Sequence, residues 1–137
     1  WKMQLVYIAT GADENIFTPE RLETVRKVER AVMDHKEFVN FCYIHYKKWE
    51  RDPNLDRYRG CSPLNSLLTY FYPSQGADGT VHYDSLGTKL NDINKTLSLA
   101  MTHDSFFWYV DENISNSNRK SRILRSEVHF GSPLPCK

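Results

Sequence analysis

The sequence predicts an α+β domain on a ferredoxin-like, split β-α-β sheet, with helices on one face and a helical insertion. Three observations carry that expectation. Apolar residues alternate over 3–9, a stacked set of helix-start signals surrounds Thr18-Pro19, and a helical stripe runs through 85–101. At 137 residues the chain has room for one such core, so a single domain is expected over 1–137, with the insertion at about 47–84.

The elements follow in order. Met3, Leu5, Tyr7 and Ala9 alternate with Gln4, Val6 and Ile8, which predicts a strand apolar on both faces and central in its sheet, closed by Thr10-Gly11. Thr18 then offers an N-cap, Pro19 suits the first helical position, Glu20 lies near the positive end of the dipole, and Phe17 and Leu22 stand where a hydrophobic staple needs them. The helix that starts there is expected to end near His35. Its core face would be Leu22, Val25 and Val28 or Val32, with Arg21, Glu23, Arg26, Lys27 and Arg30 on a solvated face. Phe38 to Tyr46 reads as a second strand, parallel to the first through a right-handed crossover.

A polar, charged insertion begins at Lys47, with Pro53-Asn54 as a turn. Ser62-Pro63 repeats the cap-plus-proline start for a short helix through Leu64, Leu67, Leu68 and Phe71, stopped by Pro73. Leu86, Leu90, Ile93, Leu97 and Met101, spaced by four, three, four and four residues, predict a second long helix over 85–101. Phe106 to Val110 reads as a short strand. Ser121 to Phe130 closes the sheet, with Ile123, Val128 and Phe130 apolar and Arg122, Arg125 and Glu127 outward.

Charge and length exclude several functions. Eighteen basic against seventeen acidic residues leave +1, too little to hold nucleic acid or an anionic bilayer by field alone. No apolar run approaches the roughly 20 residues that cross a membrane. The chain begins at Trp1 without a basic-then-apolar leader and reads as a piece of a longer polypeptide.

Cys42, Cys61 and Cys136 show no C-x-x-C spacing, which argues against a zinc or thioredoxin-type site. Either Cys42 and Cys61 form a disulfide or they are two buried thiols. The disulfide is favoured and would contribute about 3 kcal/mol by closing a loop. Cys136 is then odd, pairing elsewhere or free. Two N-x-[ST] sequons, at Asn94 and Asn113, are candidate glycosylation sites and tilt the compartment toward luminal or extracellular; Asn113, in a polar loop, is the better acceptor.

Catalytic chemistry finds no support. His35, His45, His82, His103 and His129 are scattered without metal-ligand spacing, and Asp34-His35 and His103-Asp104 read as helix-terminal pairs rather than acid–base dyads. No catalytic, cofactor or metal residues are expected. Tyr7, Phe41 and Tyr43 suit a core better than a base-stacking platform. The cluster Arg119 to Arg125 holds two overlapping Arg-x-x-Arg patterns but reads first as a solvated face. The run Phe106-Phe107-Trp108-Tyr109 concentrates the chain's aromatics and is expected to serve both core and a partner-facing surface.

Longer phrases are more specific than any of these motifs. NIFTPERL at 15–22, CSPLNSLLTYFYP at 61–73, LAMTH at 99–103, FWYVDE at 107–112 and LRSEVHFG at 124–131 together resemble the first extracytoplasmic loop of the Dispatched family, in the resistance-nodulation-division and Patched superfamily. The resemblance implies a porter-type fold within a twelve-helix membrane protein that has a sterol-sensing domain and two large extracytoplasmic loops. It implies a non-catalytic domain without cofactors, at the luminal or extracellular face of the endoplasmic reticulum or plasma membrane. The partners implied are the second loop and the membrane helices of the same protein, with a sterol, a lipid or a lipidated protein as cargo. The alternative is a secreted or luminal protein-binding module on the same sheet. An apolar patch of several hundred Å² separates the two, because a loop packed on another leaves one exposed.

Overall fold

The computed structural model describes residues 1–43 and 61–131. The mixture of helices and small antiparallel sheets is α+β. Strand β1 (Lys2–Ile8) pairs antiparallel with β4 (Ile123–His129), in register from Lys2 opposite His129 to Ile8 opposite Ile123. A second ribbon joins β2 (Ser74–Gln75) to β3 (Val81–His82). Between them come α1 (Pro19–Met33), α2 (Phe38–Phe41), α3 (Leu68–Phe71), α4 (Ile93–Ala100) and a 3-10 helix, Asp104–Trp108.

Helix α1 starts as its sequence dictates. Thr18 is extended and its hydroxyl accepts from Arg21 N at 3.4 Å, Pro19 opens the first turn, and Phe17 and Leu22 are both buried in one cluster. Its inward stripe is Leu22, Val25, Glu29 and Met33, at intervals of three and four residues. Val28 is therefore not core: it is 40% exposed, while Val32 is half-buried. Arg21 also departs from a merely solvated role. Its guanidinium clamps the loop before the helix, donating to Asp13 Oδ2 at 2.7 Å, to Thr10 O at 2.8 Å and to Asn15 O, and it holds the Asp13 carboxyl below the usual range.

Several expectations about individual elements are corrected. Residues 38–41 are helical rather than a strand, because Phe38 and Cys42 stand one turn apart and both point into the core; Cys42 then makes a single antiparallel bridge to Phe130. The rest of that expected strand, 44–46, lies outside the described residues, as do His45, Cys136 and the insertion up to 60. No parallel pair occurs among the described residues, and the split β-α-β order is not seen there.

The helix expected from Ser62 begins only at Leu68. Ser62 N donates to Tyr43 O, and Asn65 exchanges two 2.9 Å bonds with Glu127, so 62–65 runs extended beside β4. The long helix over 85–101 is reduced to 93–100. Buried Asp84 gathers Ser74 N, Ser74 Oγ and Leu86 N, Ser85 has φ of 62°, and Gly87 packs so closely that a Cβ would meet the Pro73 carbonyl oxygen at 2.1 Å. Asp92 caps the helix that remains, accepting from Lys95 N at 2.9 Å.

Phe106 to Val110 is mostly 3-10 helix, closed by bonds from Phe106 N to His103 O and from Tyr109 N to Phe106 O. Only Val110 bridges to a strand, at Leu124. The places of the two long strands are exchanged as well. β4 has β1 on one side and Asn65 and Val110 on the other, whereas β1 pairs with β4 alone among the described residues. Val6 and Ile8 on β1 accordingly stay 53% and 58% exposed. On β4 the core face is Leu124, Ser126 and Val128, which puts Ile123 on the outer side with Arg125 and Glu127.

The core forms two lobes. The larger joins Leu22 and Val25 of α1, Leu67, Leu68 and Phe71 around α3, Leu97 and Ala100 of α4, Phe106 and Leu124. The smaller joins Met33, Phe38, Cys42, Cys61, Leu64 and Val128. Three segments that run from one lobe to the other place a buried polar side chain at the crossing: Glu29 on α1, Ser66 between Leu64 and Leu67, and Ser126 between Leu124 and Val128.

Candidate functional site

The smaller lobe opens on its outer side into a groove of about 500 Å³. Val28, Ala31 and Val32 come from the last turns of α1, Phe38 and Phe41 from α2, and Phe130 from the end of β4; His35 and Glu37, in the turn between the helices, complete the lining. The local sequence explains the geometry. Asp34 closes α1, His35 Nδ1 accepts from Glu37 N at 3.2 Å, and the chain re-enters a helix that turns Phe38 inward and leaves Phe41 50% exposed. A disulfide between Cys42 and Cys61, with Cα atoms 5.5 Å apart, ties the end of α2 to the segment leading into α3. With so few hydrogen-bonding groups beside His35 and Glu37, the groove suits an apolar ligand or an apolar protein surface better than a phosphate or a carbohydrate.

The remaining predicted residues are dispersed. Asn113 is exposed in its loop, its amide beside Asp111, and Asn94 is exposed on the first turn of α4. His129 pairs with Glu127 at 3.0 Å, His103 packs against the Tyr70 ring, and His35 lines the groove. The His129–Glu127 pair, the ring contact of His103 and the groove position of His35 are separate from one another, and among the described residues no three of His, Cys, Asp or Glu could hold a metal ion. Arg119 is anchored to Asn94 O and Ser98 Oγ at 2.8 Å each, and Arg125 reaches Trp108 O, so the basic cluster fastens the loop before β4 to the helices. Of the aromatic run, Phe106 is buried and Phe107 is 48% exposed.

The most perturbed carboxyl is one that sequence reasoning passed over. Burial pushes Glu29 up to about 7, yet it faces the core and not the groove, where a general acid would have to stand. Its stripe position, four residues after Val25 and four before Met33, was the available signal.

No family model matches the chain and no solved structure matches it. Curated relatives do. The chain is 48% identical over 136 residues to Protein dispatched homolog 3 of Gallus gallus, and to the same degree to those of Homo sapiens and Mus musculus. The match covers 98% of this chain, which spans only about 10% of the length of those relatives. No helix among the described residues is long and apolar enough to cross a membrane. The similarity runs nearly end to end along this chain and is confined to one segment of those proteins.

Proposed function

We propose that this chain is the extracytoplasmic domain between the first two membrane helices of a Dispatched-type, sterol-sensing-domain transporter that handles sterols, lipids or lipidated proteins. Its role is non-catalytic: it forms one wall of an apolar passage and docks on the second extracytoplasmic loop and the membrane helices of the same polypeptide. The antiparallel pairing of its first and last strands, with helices packed on the inner face, supports a porter-type, ferredoxin-like sheet. The disulfide and the exposed sequons at Asn113 and Asn94 support an oxidising, luminal or extracellular face.

The observation that carries the reading is the groove of Val28, Ala31, Phe38, Phe41 and Phe130. An apolar-lined cleft of this volume has the size and character of a site for a small apolar ligand. Photo-reactive sterol cross-linking to the full-length protein, mapped by peptide, tests it. Labelled peptides from 28–41 and around Phe130 are expected. Labels confined to other regions would reduce the domain to a scaffold and overturn its role in the passage.

A further inference from the structure

Beyond the groove, the polar seam between the two lobes holds a titratable group that docking leaves unused. Glu29 is 4% exposed, and one of its oxygens accepts from Ser66 Oγ at 2.9 Å; Ser66 Oγ in turn accepts from Leu68 N at 3.1 Å. Ser126 Oγ and Tyr7 Oη are both buried and close no hydrogen bond, although Ser126 is near enough to both Glu29 and Tyr7 to draw their pKa values back down. We propose that Glu29 is a proton-binding site that makes the joint between the two core lobes responsive to pH.

The groups facing it leave the carboxylate without a countercharge. From β1 comes Tyr7, whose hydroxyl burial pushes far up, so that it stays neutral. From β4 comes Ser126, with Arg125 and Glu127 on the opposite face of the strand; from the turn before α3 comes Ser66. On α1 itself, Arg26 is turned to Glu23 at 3.5 Å and lies over the Tyr72 ring, and Arg30 donates to Leu86 O at 3.0 Å. Phe38 of α2 and Leu68 of α3 are apolar. An unpaired buried carboxylate is costly, and the neighbouring Ser66 and Ser126 hydroxyls, which favour the charged form, offset that cost only in part.

The sign follows from linkage. The folded value is raised from 4.5 to about 7, so the folded state keeps a proton that the unfolded chain releases across that interval. The stability this group contributes is full below the unfolded value and is lost as pH rises through the folded one. On ionisation the serine hydroxyls do not make up for the hydration the buried charge lacks, so the seam admits water and the joint between the lobes loosens.

A carbon-13 NMR titration of the Glu29 carboxyl in the 137-residue chain, assigned with Glu29→Gln, tests the site directly. The expected midpoint is near 7 in the wild type, moving higher in Ser126→Ala, where a hydroxyl that favours the charged form is gone. Hydrogen exchange at the Leu68 amide, corrected for intrinsic rates, is expected to be faster at pH 8 than at pH 5 in the wild type and equal in Glu29→Gln. A midpoint at the ordinary glutamate value, or an unchanged pH response in Glu29→Gln, overturns the proposal. Should Glu29→Gln fail to fold, the wild-type midpoint and its shift in Ser126→Ala decide alone.

Discussion

The larger lobe is closed by packing from α1, α3, α4, the 3-10 helix and β4, with the Phe17 and Phe71 rings stacked at 5.7 Å. The smaller lobe has the end of α1, one four-residue helix, a strand end and a disulfide. A helix as short as α2 has no stability of its own in water, since nucleation costs more than four residues return. Its place depends on what holds it from outside, and the Cys42–Cys61 link is the strongest such restraint. Packing therefore suffices where many elements converge, and a covalent link takes over where few do. That thinner lobe is also the one whose apolar groove lies open, in keeping with functional regions being drawn from the low-stability end of a fold.

The contrast can be broken in the larger lobe first. Phe71→Ala removes a fully buried ring and is expected to cost about 3–5 kcal/mol of global stability in urea unfolding. A loss under ~1 kcal/mol would mean that the lobe is not close-packed. Next in size, replacing Cys42 and Cys61 together by serine should cost about 3 kcal/mol, with hydrogen-exchange protection lost around α2 while the α4 amides stay protected. Equal loss in both lobes would mean that the disulfide supports the larger lobe as much as the smaller.

Gly87→Ala tests the larger lobe from its edge. The new Cβ meets the Pro73 carbonyl, and a loss of about 1–3 kcal/mol is expected from the same unfolding measurement. Thr18→Ala should cost about 1 kcal/mol by removing the cap of the helix that serves both lobes, with α1 fraying at its first turn by exchange. Smallest of all, Val28→Ser in the groove should change stability by less than about 0.5 kcal/mol while weakening sterol cross-linking to α1 in the full-length protein. That separation of folding from binding would assign Val28 to recognition and not to the core.

What was legible in the sequence was what neighbouring residues decide among themselves. Thr18, Pro19 and Phe17 announce α1 within one turn, and the alternation of β1 and β4 survives because period two is a property of the backbone. The groove was less legible. Phe38, Val39 and Phe41 look like strand residues by propensity, and only the core waiting for Phe38 and Cys42, one helical turn apart, makes them helical. The regular spacing from Leu86 to Met101 misled for a related reason: Asp84 and Gly87 bind the chain to Pro73 and Ser74 before a helix can form.

By itself, then, the sequence determined the caps, the alternations and the Dispatched-like phrases, because each depends on hydrogen bonds and sterics within a few residues or on the order of the residues alone. Tertiary structure decided which strand is flanked on both sides, where the disulfide draws α2, and that a glutamate rather than a valine completes the stripe of α1. Those outcomes depend on groups tens of residues apart competing for the same space, and a carboxyl enters the interior only where the surrounding hydroxyls and the shape of two apolar lobes leave it nowhere better to go.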